Sequence, residues 1–142
     1  MKKILLLFTA LVISISASAQ KGPKIEFKQE TIDYGTVTKQ DDNGQRTFEF
    51  TNTGDAPLII KDVKSTCGCT VPSFPKDPIL PGKSSKIDVK YNMATGPIRK
   101  TITVQSNAVN YADGVVPLKI KGTVVDKDKV SPLEKKKSLV NQ

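Results

Sequence analysis

Ser84-Ser85-Lys86-Ile87-Asp88-Val89-Lys90-Tyr91 is the stretch that decides the fold. Ile87, Val89 and Tyr91 alternate with Lys86, Asp88 and Lys90, so apolar and polar side chains fall on opposite faces of an extended chain. That period of two is the signature of a strand with one face in a core and one in water. The same alternation recurs upstream, where Phe48 and Phe50 share a face across Arg46–Asn52 and Ile25 and Phe27 alternate with Lys24, Glu26 and Lys28. It recurs downstream in Ile98, Lys100, Ile102 and Val104, with Ile102 and Val104 as the inward pair, and in Leu118, Ile120, Gly122 and Val124. Thr31–Val37 and Pro57–Val63 read as two further strands, Leu58 and Ile60 pointing one way.

Turn chemistry separates these runs. Asp41-Asp42-Asn43-Gly44 and Asn52-Thr53-Gly54-Asp55 each supply a glycine for a positive φ. Asn92–Pro97 is a connection and Ser106–Gly114 a polar loop. Pro72, Pro75, Pro78 and Pro81 fall within ten residues, so Pro72–Lys83 is expected to be a long loop ending in a Pro81-Gly82 turn, since proline brings no amide to a ladder. No stretch beyond residue 19 sustains a helical apolar stripe. Seven to eight short strands over about 100 residues predict an all-β, immunoglobulin-like antiparallel β-sandwich spanning 24–125.

Residues 1–19 read as a secretory signal peptide. Lys2-Lys3 is the charged start, Ile4–Ile15 an apolar run, and Ala17-Ser18-Ala19 a small-x-small cleavage site, which leaves Gln20 as the expected first mature residue. The apolar run is short of the ~20 residues a bilayer span needs, and no cysteine follows it to carry a lipid. The expected location is periplasmic or secreted, a space where disulfides persist, with no transmembrane anchor after cleavage. At the other end, 126–142 reads as a disordered basic tail carrying Lys127, Lys129 and Lys135-Lys136-Lys137, able to touch anionic lipid or polysaccharide.

The chain carries 22 Lys and Arg against 14 Asp and Glu, a net +8; without Lys2 and Lys3 it is +6. Basicity of this size is compatible with an anionic surface or polymer, yet no basic run interrupts the body of the chain, and no nucleic-acid partner is expected. There is no histidine, which excludes a Ser-His-Asp or Cys-His enzyme.

The order Asp33-Tyr34-Gly35, Phe48-Glu49-Phe50-Thr51-Asn52-Thr53-Gly54, Pro57-Leu58-Ile59-Ile60, Thr66-Cys67-Gly68-Cys69-Thr70, Pro81-Gly82, Tyr91-Asn92, Lys100-Thr101-Ile102 and Ser106-Asn107 resembles the bacterial family of unknown function numbered 1573. The resemblance covers roughly Lys24 to Val125. It implies an exported protein of a kind common in Bacteroidetes, with a fold like the immunoglobulin-like Hydin and major-sperm-protein domains, which are interaction modules. It implies no activity. Ile98 stands where the family suggests an aromatic residue.

Cys67-Gly68-Cys69 holds both cysteines of the chain and admits three readings. In an extended strand alternate Cα atoms lie about 6.5–7 Å apart, at the limit for a disulfide, so a bridge needs a tight bend at Gly68 and is strained and easily reduced. Both can instead be buried thiols acting as small hydrophobes. Or both thiolates can hold Cu(I), with Met93 as the third soft donor; a structural zinc site wants four ligands. Other constellations read as structure. Asp33-Tyr34-Gly35 is a strand ending in a glycine turn, the Asp41–Gly44 segment lacks calcium-loop spacing, and Asp55, Asp62, Asp77 and Asp88 show no catalytic pairing. Tyr34, Tyr91 and Tyr111 read as core or edge residues. The expectation is an exported non-catalytic binding or scaffold module of the bacterial envelope without a cofactor, its partner an unidentified protein or envelope component; the alternative is a periplasmic thiol-redox or Cu(I)-handling protein.

Overall fold

A computed structural model describes residues 21–66 and 69–129. Eight strands form among the described residues: β1 (Ile25–Phe27), β2 (Thr31–Thr38), β3 (Gln45–Asn52), β4 (Ile60–Ser65), β5 (Cys69–Ser73), β6 (Ser84–Tyr91), β7 (Gly96–Ser106) and β8 (Val115–Val125). They build two four-stranded sheets, ordered β1-β3-β6-β5 and β2-β8-β7-β4. The alternation in the sequence is the alternation in space. Phe48, Phe50, Ile87 and Val89 fill the layer from the first sheet, and Ile98, Ile102, Val104, Val116, Leu118 and Ile120 meet them from the second. Ile98 is fully buried, so an aliphatic side chain fills the position where an aromatic one was anticipated.

The sandwich differs from the sequence-based expectation in four places. All pairs are antiparallel except β2 with β8, which is parallel. Only three residues separate β1 from β2, so the chain crosses from the edge of one sheet to the edge of the other and arrives running alongside β8. The β2–β8 register breaks between Asp33 and Thr36, around Gly35 at φ 65°. Opposite this break sits Gly122 at φ 146°, where a Cβ would come within 2.8 Å of both the Gly35 carbonyl and the Tyr34 Cβ.

Second, the strand expected over Pro57–Val63 begins only at Ile60. Leu58 instead exchanges two backbone hydrogen bonds with Ile79 (2.8 and 2.7 Å), forming a strap between segments that lead to different sheets. Third, the expected loop over Pro72–Lys83 starts inside β5 and buries Ile79. β5 lies at a sheet edge, where a proline is compatible with the ladder. Fourth, the polar loop after β7 is packed. Ser106 is buried, its hydroxyl donating to the Gly114 carbonyl and accepting from the Ala108 amide. Beyond Val125 the chain is held for four more residues: Asp126 accepts from Gln40 and pairs with Lys39, and Lys127 pairs with Asp41. The remainder of the expected tail and the expected signal peptide lie outside the described residues.

Asn52 and Ser106 are the buried polar side chains among the described residues. The Asn52 amide is fully used. Its Oδ1 accepts from the Lys24 and Gly54 amides, and its Nδ2 donates to the Ala56 and Ile79 carbonyls. Its own backbone bonds Lys83 and Gly82. One side chain thus joins the entry to β1, the turn after β3 and the strap. Truncating it leaves buried donors and acceptors without partners, at about 1 kcal/mol each or more. Asn52→Ala is expected to lower the unfolding free energy by about 3 kcal/mol in urea titration. Asn52→Asp is expected to fail to restore it, because a carboxylate faces the Ala56 and Ile79 carbonyls; a loss under about 1 kcal/mol for the alanine variant contradicts this assignment.

Candidate functional site

The cysteine segment is the point where the chain leaves β4 in the second sheet and enters β5 in the first. Its flanks are tied down. The Thr66 amide donates to the Thr101 carbonyl, the Cys69 amide returns to the Thr66 carbonyl at 3.3 Å, and the Ser65 hydroxyl donates to the Cys69 carbonyl. The Thr66–Cys69 hydrogen bond ties the two flanks to each other. Cys67 and Gly68 lie outside the described residues, and with them the bridged and metal-binding readings of the Cys67–Cys69 pair.

Cys69 stands opposite Tyr91 in the β5–β6 ladder and packs, half-buried, against the core. Burial pushes its thiol above the ordinary range, and the Lys100 ammonium pulls weakly the other way. This is the environment of a small hydrophobe rather than of an activated thiolate. Met93 is buried at φ 57° and lies against the Gly44 turn, where a Cβ on Gly44 would approach its sulfur to 3.0 Å. Met93 therefore fills a gap in the core at that end of the sandwich.

The Asp33-Tyr34-Gly35 segment, expected to end a strand, instead lies inside β2 at its register break. Tyr34 is buried, donates its hydroxyl to the Gly44 carbonyl at 2.8 Å, and meets Tyr91 edge-on. Burial pushes its phenol up to about 12. Arg46 lies 4.0 Å above the Tyr34 ring and grips Asp42 through two hydrogen bonds, of 2.6 and 3.1 Å. Those bonds hold the Asp42 carboxyl below its usual range. Tyr111 is more exposed and donates to Glu30, whose carboxylate pushes the phenol up to about 12.

Three of the four carboxylates weighed above, Asp55, Asp62 and Asp88, are also engaged. Asp88 accepts from the Thr47 and Ser73 hydroxyls, which lower its pKa, while Asp55 and Asp62 accept from the Gly22 and Val63 amides. A depression of about 700 Å³ runs along Lys61 and the loop after β7. Its asparagines are engaged in holding that loop, Asn107 on Ile59 and Pro57 and Asn110 on both backbone groups of Ile25.

The outer faces of the two sheets differ. On the first, Glu49 faces Lys86 across β3 and β6 and pairs with Lys28, and Asp88 sits within 4.0 Å of Lys86. On the second, Arg99 of β7 stands directly opposite Lys121 of β8, with Lys119 one inward-facing residue away. Like charges in such positions cost about 0.5 kcal/mol rather than stabilising the sheet. Sequence reasoning missed this cluster because no local run contains it. The only signal was the outward register of Arg99-Lys100-Thr101 and Lys119-Ile120-Lys121, legible once β7 and β8 are paired.

These features define an immunoglobulin-like sandwich whose described polar side chains mainly hold turns and crossings. The chain belongs to the family described as protein of unknown function (DUF1573), which matches over residues 25–124. No curated protein matches it. Among solved structures it is similar to a protein of unknown function from Porphyromonas gingivalis W83 (TM-score 0.59, 18% identity, 72% of this chain and 47% of that one). It is similar also to part of the secreted serine protease VesC of Vibrio cholerae (TM-score 0.60, 18% identity, 83% and 26%) and to PapD-like domain 7 of human CEP192 (TM-score 0.50, 11% identity, 72% and 86%). The chain spans less than half the length of the first two. At these identities the likeness is one of fold.

The environment of Cys69 has a direct chemical consequence. In a Cys67→Ser chain, Cys69 is expected to react with iodoacetamide more slowly when folded than when denatured, with the rate rising only above the ordinary thiol range of about 8.5. Lys100→Gln is expected to slow it further, since it removes the charge that favours the thiolate. A folded rate equal to the denatured rate at pH 8 contradicts this picture.

Proposed function

We propose that this protein is an exported, non-catalytic binding or scaffold module of the bacterial envelope. The observation that carries this reading is the engagement of four of its carboxylates. Asp42 holds a turn, Asp55 and Asp88 hold contacts between distant segments, Asp62 accepts from the next amide of its own strand, and the pKa values of Asp42 and Asp88 are displaced downward, away from those of a general acid. What remains is a braced two-layer body with two broad solvent faces, an arrangement suited to presenting a surface rather than enclosing a substrate. Export is supported by the charged start, apolar run and small-residue cleavage pattern of residues 1–19. The raised thiol of Cys69 does not favour a thiol-redox role.

Fractionation of the cells that produce it, followed by intact-mass measurement, tests the reading. The expected result is a chain beginning at Gln20 in the periplasmic or extracellular fraction. A cytoplasmic chain retaining residues 1–19 overturns export. Turnover of any substrate that is lost in Cys67→Ser overturns the non-catalytic assignment.

A further inference from the structure

We infer that the outer face of the β2-β8-β7-β4 sheet is a docking surface for a linear acidic polysaccharide, centred on Arg99, Lys119 and Lys121. The inference rests on the binding-module reading and names its partner class. Two rungs of the sheet build the surface. One runs Asp33, Lys121, Arg99 across β2, β8 and β7, and the next runs Thr31, Lys119, Thr101. Between them lies a depression of about 420 Å³ lined by these three cations, the two threonines, and Lys100 and Ile120 of the intervening register. A second, of about 340 Å³, continues past Arg99 and Lys121 towards Thr36 and Thr123. The two together form a track along the face rather than one pit.

Electrostatics sets this track apart. Lys121 has Asp33 at 3.5 Å, with both side chains more than half exposed. Among the described residues no carboxylate lies within ion-pair distance of Arg99 or Lys119. A directly opposed Arg99–Lys121 pair opposes folding in the free protein, and an anion placed between the two strands removes that repulsion. The opposite face needs no such ligand, because its Glu49, Lys86, Lys28 and Asp88 already compensate one another.

The chemistry of the lining favours a glycan among polyanions. A folded protein partner would be anchored by exposed aromatic or large apolar side chains, and the isoleucines of the lining, Ile98 and Ile120, are buried in the core. A single-stranded nucleic acid would call for aromatic platforms under its bases, and these too are missing from the lining. Guanidinium and ammonium groups suit carboxylates or sulfates, and threonine hydroxyls suit sugar hydroxyls. Opposed residues on neighbouring strands have Cα atoms about 5 Å apart and those two residues apart along a strand about 7 Å, so an acidic chain can meet more than one of these cations at a time.

The test is isothermal titration of the full mature chain with polygalacturonate, with neutral dextran and oligo-dT as comparison ligands, at low and physiological salt. Polygalacturonate is expected to bind, dextran to be ignored, and oligo-dT to bind more weakly. Arg99→Gln/Lys121→Gln is expected to weaken polygalacturonate about 10-fold or more and to lower the salt slope by about two. Lys28→Gln/Lys86→Gln, with the same loss of charge on the other face, is expected to change affinity less than about 2-fold. The Arg99/Lys121 variant is expected to unfold at a urea concentration at or above wild type, which separates lost binding from lost structure. No binding to polygalacturonate, equal weakening by the two variants, oligo-dT bound as tightly as the glycan, or a lower urea midpoint overturns the inference. None of these outcomes touches the export or non-catalytic assignments, which the fractionation and turnover measurements decide.

Discussion

The buried Asn52 amide is the interaction on which the arrangement of this sandwich depends. Apolar burial supplies more free energy in total, about 2–3 kcal/mol for each large core side chain such as Phe48 or Ile102. That term has no direction. It favours two layers packed together but does not say which segment crosses where. Asn52 supplies the direction, because its four side-chain hydrogen bonds are satisfied only when Lys24, Gly54, Ala56 and Ile79 occupy their places around it. A wrong crossing strands a buried amide, and that penalty selects one topology from several with comparable cores.

With the crossings set, the outer faces follow from register alone. Each outward side chain of β7 is opposed by a fixed residue of β8, and the opposition is of like charge at Arg99 and Lys121. On the β3–β6 pair the opposition is of unlike charge at Glu49 and Lys86. One body thus presents a self-neutralised face and a cationic one. Three residues that looked chemical in isolation, Met93, Tyr34 and Cys69, take part in neither. Met93 and Tyr34 serve the end of the core, and the described cysteine, Cys69, packs beside it.

Much of this fold was legible in the sequence, because period-two alternation is a local signal. Arg46–Asn52, Ile87–Tyr91 and Leu118–Val124 announce themselves with no knowledge of their neighbours. What stayed hidden was non-local. Nothing in Thr31–Val37 says that its partner runs parallel, since that follows from a short crossing between sheet edges. Leu58 continues the apolar pattern of Ile60 and yet bonds Ile79, because the strap and the strand share the same extended backbone. Ser106 reads as a loop residue, although its hydroxyl is satisfied internally and so tolerates burial. As for the candidate site, rarity drew attention to Cys67 and Cys69, while the cationic cluster is assembled from single basic residues on separate strands and has no linear signature.

Native-state hydrogen exchange at the Leu58 and Ile79 amides tests the central claim most directly, because these bonds form the strap that Asn52 holds. Both amides are predicted to exchange only through global unfolding, with opening free energies equal to the value from urea. Exchange through a local opening several kcal/mol below that value would show that the strap moves independently of the core, and would contradict the account of Asn52 as the tie that fixes the crossings.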